Sequence, residues 1–328
     1  MVDLRGQYQK IQSKVDDSVL KTINSASFIN GPQVKSFQKH LEKYLRVKHV
    51  IPCANGTDAL QIALMALDLK PGDEVITPDF TYASTIEVIL LLGLTPVLVD
   101  IDIDTFNIDV SGIKNAISSK TKAIIPVHLF GQVASMNEIL EIAQENDLYI
   151  IEDNAQSLGS NFTFKDGSKK KAGTIGHIGT TSFFPSKNLG AYGDGGAIFT
   201  EDDDLAHTLR GIVNHGMYVR YYHDLVGVNS RLDSIQASIL DIKLDYLDDY
   251  NNSRCIAASK YNLRFKDQSN IITPIRVGEH DSHVFHQYTL RILNRKRDEL
   301  VKYLNDRNIP CGIYYPVPLH LQKAYKSN

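Results

Sequence analysis

The stretch "LYIIEDNAQSLGS", from Leu148 to Ser160, decides the fold. Its apolar run reaches two acids, Glu152 and Asp153, and then gives way to small and polar residues. Because successive side chains of a strand point to opposite faces, one acid can face a crevice while the other points away. The pattern is typical of a buried strand in an open α/β sheet, where ligands bind beyond the carboxyl ends of the strands.

Similar apolar runs lie on both sides of this stretch, and most are separated by enough residues for a crossover helix. The strand-like runs are "DEVITP" (73–78), "TPVLVDID" (95–102), "KAIIPVHL" (122–129) and "GTTSFF" (179–184), and helical spacing marks "QVKSFQKHLEKYL" (33–45) and "ANGTDALQIALMAL" (54–67). This alternation predicts an α/β fold with a large, mostly parallel sheet covered by helices on both faces.

The alternation of strand-like and helical patterns ends near residue 227. The stretch "GVNSRLDSIQASILDIKLDYLDDYNN" (227–252) predicts one long amphipathic helix that links two domains. After it, "HVFHQYTLRIL" (283–293) predicts a strand and "KRDELVKYLNDRN" (296–308) predicts a helix. We therefore expect a large domain over residues 1–235 and a small α+β domain over residues 236–328.

The composition excludes several classes of protein. A net charge of −3, with 22% charged residues, favours neither nucleic acid nor anionic lipid as a partner. The three cysteines lack CxxC spacing and no HExxH occurs, so we expect no metal site and no disulfide framework. The most apolar run, "VILLLGLTPVLV" (88–99), is too short for a membrane span, and the charged N-terminus lacks a signal core, which together favour the cytoplasm.

Lys187 is the first candidate for chemistry, because it lies in "SFFPSKNLGAYGDGGA" (182–197), after two phenylalanines and a proline and before four glycines. A lysine forms a Schiff base only when part of it is unprotonated, which such surroundings favour. The alternative is an ion pair with Asp194. Asp153, at the end of its strand, can hold the protonated pyridine nitrogen of pyridoxal 5′-phosphate, or it can cap a helix.

Three further positions have two interpretations each. In "CANGTDAL" (53–60), Gly56 and Thr57 open a helix and are suited to binding a phosphate, although any capped helix looks similar. Gln156 either donates to the phenolic oxygen of the cofactor ring or caps a turn. His128 follows a strand and lies either in the crevice or in the core.

The motifs "NGTDAL", "TPDFTYAST", "VHLFGQ", "EDNAQSLG", "SFFPSKNLGAYGDGGA" and "GVNSRLDSIQAS" occur in one order along the chain. This set resembles the DegT/DnrJ family of nucleotide-sugar aminotransferases, which depend on pyridoxal 5′-phosphate. The resemblance implies the type I fold of aspartate aminotransferase and a homodimer whose active sites are shared between subunits. It also implies that an amino donor, expected to be glutamate, loads the cofactor, which then aminates a keto sugar.

The resemblance also implies roles for individual residues. Lys187 would form the Schiff base and move the proton, while Asp153 would contact the pyridinium nitrogen. The other cofactor contacts would be Ala155 under the ring, Gln156 at the phenolic oxygen, Tyr82 on the opposite ring face, Ser182 with Gly56 and Thr57 at the phosphate, and Asn229 at the phosphate of the neighbouring subunit. Arg231 and Tyr314 lie where family members contact substrate.

The loops resemble most closely those of members that aminate the 3-keto position of a UDP-linked N-acetyl-hexuronate for surface polysaccharide. A dTDP-linked 3-keto-6-deoxyhexose is the alternative substrate, and a non-catalytic protein that binds the cofactor or a nucleotide sugar is the alternative class. Related dehydratases have histidine where this chain has Lys187, which favours the aminotransferase branch. Family members usually continue past "PLH", so we expect either that the C-terminal domain is shortened here or that the sequence is incomplete.

Overall fold

The computed structural model describes residues 2–326. It therefore leaves out Met1 of the expected large domain and residues 327–328 of the expected small domain. The helices are α1 Leu4–Ser25, α2 Pro32–Leu45, α3 Gly56–Ala66, α4 Ser84–Leu91, α5 Val110–Ala116, α6 Met136–Asn146, α7 Asp203–Ile212, α8 Ser234–Leu244, α9 Leu247–Phe265 and α10 Arg297–Asn305. The strands are β1 His49–Cys53, β2 Glu74–Pro78, β3 Thr95–Val99, β4 Thr121–Ile124, β5 Tyr149–Asp153, β6 Asn161–Thr163, β7 Lys169–Lys171, β8 Ile178–Ser182, β9 Gly196–Thr200, β10 Met217–Val219, β11 Tyr222–His223, β12 Ile271–Ile272 and β13 Arg291–Ile292. Short 3-10 turns cover Leu129–Gly131 and Leu319–Leu321.

A seven-stranded sheet with the order β1-β9-β8-β5-β4-β2-β3 forms the centre of the molecule. Neighbouring strands are parallel from β3 to β8, whereas β9 runs antiparallel to both β8 and β1. The predicted mostly parallel sheet is confirmed, and so are the five strands predicted for it. The pattern of apolar runs did not predict β1 and β9, which complete the sheet on one side.

Alternate residues of each strand enter cores on opposite faces of the sheet. Ile151 packs with α3 and α7, while the preceding Ile150 packs with α6 on the other side. Val50 and Ile51 of β1 are divided between two clusters in the same way. Each fully buried side chain of this kind contributes about 1.5–3 kcal/mol. The double-sided burial fixes the register of the strands, and therefore which side chains reach the carboxyl edge.

Helix α2 shows how the sequence pattern becomes packing. Pro32 occupies its first turn, where the missing N–H costs nothing. The helix predicted over residues 33–45 is confirmed, and in it Val34, Phe37 and Leu41 are buried while Tyr44 is half-buried. The Phe37 ring meets Phe183 edge to face at 5.4 Å. This contact connects α2 to the strand end that precedes Lys187.

The prediction of one long helix over residues 227–252 is wrong, because the chain forms α8 and α9 with a break at Asp245 and Tyr246. The break allows two side chains to face different partners. Tyr246 accepts a hydrogen bond from Lys14 Nζ of α1 at 2.7 Å, while Leu247 is fully buried in the cluster between the sheet, α2 and α8. A continuous helix would have placed these neighbouring residues about 100° apart on one regular surface.

The strand predicted over residues 283–293 is also largely wrong, since only Arg291–Ile292 is a strand there, paired with β12. The rest of the segment bonds to an irregular loop. Val284 N donates to Gly131 O at 2.8 Å, and Gln287 N donates to Phe130 O at 3.3 Å. The predicted helix after it is confirmed as α10, and the division into two domains at residue 235 stays a prediction. In the range 2–326 we find no helix with the length and apolar composition that a bilayer crossing requires.

Candidate active site

The two acids at the end of β5 have opposite surroundings, as the alternation of a strand predicts. Asp153 is 5% exposed, and its Oδ2 accepts a hydrogen bond from Thr85 Oγ1 at 3.0 Å. Its Oδ1 accepts a second one from Ala155 N at 3.1 Å. A carboxylate has about four acceptor positions, so Asp153 retains capacity for a cationic partner.

Glu152 faces the other way and holds a loop together. Its oxygens accept hydrogen bonds from the amides of Gly173, Ile175 and Gly176 at 2.6–2.9 Å, and they lie 2.8 Å from His128 Nε2. His128 Nδ1 accepts from Ala134 N, so its Nε2 carries the hydrogen that Glu152 accepts. Both side chains are fully buried. Of the two interpretations of His128, the structure therefore supports the core position.

Lys187 lies in the turn that follows β8, and the turn is closed by a hydrogen bond from Lys187 N to Phe184 O at 2.8 Å. Burial lowers the pKa of the Lys187 amine, and the carboxylate of Asp153 opposes part of this shift. Lys187 and Asp194 form no ion pair. The structure therefore does not support the alternative interpretation, in which Lys187 is the ionic partner of Asp194. A half-buried amine with a lowered pKa is a nucleophile.

The start of α3 and the end of β8 come together to form a concave group of donors. Asn55 caps the helix by accepting from Asp58 N at 2.8 Å, which leaves the amides of Gly56 and Thr57 without partners among residues 2–326. A Cβ on Gly56 would lie 2.7 Å from Ser182 Cβ, so only glycine permits this approach. Two free amides, the Ser182 hydroxyl and a positive helix end suit a phosphate.

Gln156 and Tyr315 form a hydrogen-bonded pair. Gln156 was a predicted site residue, whereas Tyr315 was not. Gln156 Oε1 accepts from Phe130 N at 2.8 Å, and its Nε2 donates to the hydroxyl of Tyr315 at 3.2 Å. Burial raises the pKa of Tyr315 to about 12, and the bond from Gln156 opposes this shift. The oxygen of Gln156 is therefore committed to the backbone, and its amide hydrogens point to the side where Tyr315 lies.

The remaining expected site residues differ in exposure. Tyr82 is 61% exposed at the loop after β2, and Ala155 is half-buried directly after Asp153. Tyr314 is 45% exposed, and its ring lies edge to face with Tyr315 at 5.8 Å. Thr85 was missed, although it ends the quoted motif "TYAST"; its burial in the first turn of α4 could not be read from the letters.

Asn229 and Arg231 contact other parts of the fold. Asn229 is exposed and bridges to Asn214. Arg231 lines a cleft of 230 Å³ together with Lys35 and Arg210, and the lining contains none of the residues around Lys187. One copy of the chain therefore does not bring all of the expected site residues into one pocket.

The residues that one copy does bring together fit pyridoxal 5′-phosphate. Lys187 would provide the amine, Asp153 the buried carboxylate, and Gly56, Thr57 and Ser182 the donors of an anion cradle. Carbon chemistry with this cofactor needs such an amine, such an anion for the pyridinium nitrogen and such a phosphate site.

Comparison with known proteins supports the same assignment. The model of the DegT/DnrJ/EryC1/StrS aminotransferase family matches residues 9–328. The chain is 45% identical to the pleiotropic regulatory protein of Geobacillus stearothermophilus over 100% of its length and 86% of that protein. It is 44% identical to the UDP-2-acetamido-2-deoxy-3-oxo-D-glucuronate aminotransferase of Pseudomonas aeruginosa, with 98% and 88% of the two chains covered. It is 42% identical to the UDP-N-acetyl-3-dehydro-alpha-D-glucosamine 3-aminotransferase of Acidithiobacillus ferrooxidans, with 99% and 86% covered.

Solved structures agree in fold. A DegT/DnrJ/EryC1/StrS aminotransferase from Brucella abortus superposes with a TM-score of 0.93 at 43% identity, covering 99% of this chain and 87% of that one. NtdA from Bacillus subtilis, solved with the bound cofactor PMP, superposes with a TM-score of 0.87 at 32% identity, covering 96% and 71%. The predicted type I fold is thereby confirmed, and the chain belongs to the DegT/DnrJ/EryC1/StrS aminotransferase family.

Proposed function

We propose that this protein transfers an amino group from glutamate to the C3 keto group of a nucleotide-linked sugar, with a UDP-linked N-acetyl-3-oxo-hexuronate as substrate. The observation that carries the reaction class is the half-buried Lys187 amine, with its lowered pKa, in the electrostatic field of Asp153. The sugar assignment is supported by two relatives at 42–44% identity that are named for UDP-linked 3-oxo sugars. The dTDP-linked alternative has slightly weaker support, since a relative named for a dTDP-3-amino-3,6-dideoxy sugar is 41% identical.

Pyridoxal 5′-phosphate, when bound, supplies the electron sink that makes a C–H bond next to nitrogen acidic. Lys187 would hold the cofactor through its amine, because desolvation leaves part of that amine unprotonated. Asp153 holds the charged pyridine nitrogen, and its position is kept by Thr85 and by the amide of Ala155. The amides of Gly56 and Thr57 and the hydroxyl of Ser182 bind the phosphate. When its amine is free, Lys187 would take the proton from the substrate carbon and return it.

We further propose that two copies share each active site. The exposed positions of Asn229, of the β10–β11 hairpin and of the loop after it support this arrangement, since Tyr221 in the hairpin is 75% and Val226 in the loop is 86% exposed. In this arrangement Asn229 contacts the phosphate in the partner's site, and Arg231 contacts the substrate there. Mixing Lys187→Ala with Asn229→Ala copies tests the proposal, because shared sites predict that the mixture recovers activity through one intact site per mixed dimer. Sites built from a single copy would give no recovery.

The substrate assignment is tested by incubating the cofactor-loaded protein with glutamate and each candidate keto sugar, and by reading the products by mass spectrometry. We expect amination of the UDP-linked 3-oxo-hexuronate and at least about tenfold slower amination of the dTDP-linked 3-keto-6-deoxyhexose. The name of the Geobacillus relative keeps a regulatory role as the second candidate. A regulator would bind the cofactor, but glutamate would not change the absorbance of the bound cofactor.

A further inference from the structure

Asp79 joins the end of strand β2 to residues that are distant in the sequence. Its backbone N–H donates to Val99 O at 2.9 Å, which fixes Asp79 to the end of β3. Its Oδ1 accepts a hydrogen bond from His320 N at 2.9 Å, and its Oδ2 lies 2.5 Å from His320 Nδ1. The carbonyl of Asp79 accepts a third bond, from Leu319 N at 3.3 Å. We call the pair Asp79 and His320, which are 241 positions apart, the latch.

The latch is supported by burial and by a stiff segment of chain. Leu319 is 3% exposed, and the side chain of Asp79 is 18% exposed. Hydrogen bonds to a carboxylate are stronger than those between neutral groups. Pro316 and Pro318 lie between Tyr315 and the latch, and each proline ring fixes its φ near −65°. The position of the latch is therefore transmitted to Tyr315.

The side chain of Tyr315 has a contact at each end. Its ring meets Phe80, the residue after Asp79, edge to face at 5.6 Å, and its hydroxyl accepts a hydrogen bond from Gln156 Nε2 at 3.2 Å. Phe80 also packs against the ring of Phe130 at 6.3 Å. The backbone N–H of Phe130 donates to Gln156 Oε1 at 2.8 Å. The contacts of Tyr315, Phe80, Phe130 and Gln156 therefore form a closed ring beside Asp79.

This ring of contacts fixes which way the amide of Gln156 points. A backbone N–H only donates, so the oxygen of Gln156 faces Phe130 and the nitrogen faces Tyr315. Burial raises the pKa of Tyr315 to about 12, so its hydroxyl is neutral at pH 7. The second hydrogen of Gln156 Nε2 has no partner among residues 2–326. Because Gln156 is 7% exposed, a bound group suits this hydrogen better than bulk water does.

We propose that Asp79 is a positioning residue for the reaction: it holds His320 and Leu319, and thereby keeps the Tyr315 hydroxyl on the amide of Gln156. The amide then presents its second hydrogen to the phenolic oxygen of the cofactor. The proposal rests on the proposed function, in which Gln156 donates to that oxygen. Asp79 itself touches neither the cofactor nor the substrate.

Hydrogen–deuterium exchange of the full chain without cofactor, read by mass spectrometry, tests the geometry. Asp79→Ala removes both carboxylate bonds, so the peptide that contains Leu319 and His320 should exchange about tenfold faster. The peptide that contains Phe130 should also exchange faster, because the acceptor of its N–H, Gln156, is no longer held. A latch that only fastens residues 319–320 would leave the Phe130 peptide unchanged.

Tyr325→Phe is the matched control for this measurement. The hydroxyl of Tyr325 donates to Glu87 Oε1 at 3.0 Å, so the substitution removes another bond between the same part of the chain and the sheet domain. It leaves the bonds of Asp79 intact. We therefore expect the Phe130 peptide of Tyr325→Phe to exchange at the wild-type rate.

The bound cofactor provides a second readout. A donor to the phenolic oxygen stabilises its deprotonated form, so loss of the donor should raise the pH at which the visible absorbance of the loaded chain changes. We expect a rise of about half a unit in Asp79→Ala and in Tyr315→Phe. The double variant should show no further rise, since both substitutions act through one hydrogen bond. Asp79→Asn can bond both nitrogens of His320 through the other imidazole tautomer, and should stay near the wild-type value.

A rise in Asp79→Ala that adds nothing to the rise in Tyr315→Phe supports the proposal. An unchanged absorbance midpoint in Asp79→Ala, or rises that add in the double variant, overturn it. If the chain does not load the cofactor, the proposed function fails, and the Phe130 peptide decides about the latch alone. Faster exchange of that peptide in Asp79→Ala than in Tyr325→Phe then supports the positioning role, and equal exchange overturns it.

Discussion

The hydroxyl of Thr85 donates a hydrogen bond of 3.0 Å to Asp153 Oδ2, and the threonine is fully buried. The two residues are 68 positions apart in the sequence and meet because α4 and β5 approach the same edge of the sheet. The bond orients the carboxylate of Asp153 before the cofactor binds. Preorganisation of this kind lowers the free energy that binding would otherwise spend on orienting the group.

Thr85→Val should weaken the binding of pyridoxal 5′-phosphate about tenfold, because a hydrogen bond to a charged group contributes roughly 1.5–3 kcal/mol. An absorbance titration of the chain with cofactor measures this dissociation constant. Thr85→Ser keeps the hydroxyl and serves as the matched control, which should bind nearly as tightly as wild type. Equal weakening in both variants would show that packing of the methyl group matters instead.

Gly56→Ala should destabilise the fold by about 1–3 kcal/mol, since the new Cβ would meet Ser182 Cβ at 2.7 Å. Urea unfolding followed by circular dichroism measures the loss. The double variant Gly56→Ala/Ser182→Gly removes the opposing Cβ, so Gly56→Ala should cost less in the Ser182→Gly background than in wild type. An identical cost in both backgrounds would show that the strain does not arise from the contact between residue 56 and the Cβ of Ser182.

His283 makes the folded state sensitive to acid. Burial lowers its pKa from 6.5 to about 3, and its ring stacks on Phe285 at 3.8 Å. Because the unfolded chain takes up the proton first, stability is fully present above pH 6.5 and falls as the pH drops towards 3. Between pH 7 and pH 5, wild type should lose about 2 kcal/mol more than His283→Gln in urea unfolding. Parallel pH profiles of the two proteins would contradict this assignment.

Lys243 should make the folded state more stable in alkali. It is 1% exposed, donates to the carbonyl of Gly190 and lies 5.1 Å from the ring centre of Tyr192, and burial lowers its pKa from 10.5 to about 8. Below pH 8 the buried charge costs stability, and above it the folded chain releases the proton before the unfolded chain does. Stability should therefore rise from pH 8 towards 10.5 by a contribution that Lys243→Met lacks. The same alkaline slope in both proteins would exclude Lys243 as its source.

Much of the sheet, and the position of several candidate site residues within it, was predictable from the sequence, because local patterns encode them. The alternation in "YIIED" placed Glu152 and Asp153 on opposite faces, and the Asn55 cap placed the free amides of α3. The burial of Val34, Phe37 and Leu41 followed from helical spacing alone. These features depend on neighbours within a few residues, which the sequence displays directly.

The features that were missed depend on contacts between distant segments. The break before Leu247 arises because Tyr246 and Leu247 face different cores, although the spacing of apolar residues suits one helix. His283 and Val284 alternate like a strand, yet their backbone bonds to the loop at Gly131. The pairing of Gln156 with Tyr315 joins residues 159 positions apart. No local pattern of residues in the sequence predicts which distant residues will be in contact.

The central claim is that the amine of Lys187 binds the aldehyde of pyridoxal 5′-phosphate. Loading the full chain with cofactor, treating it with borohydride and mapping the peptides by mass spectrometry tests this claim most directly. The account predicts a pyridoxyl group on Lys187, and its loss in Lys187→Ala with the fold retained. A pyridoxyl group on another lysine such as Lys243, or on none, would contradict it.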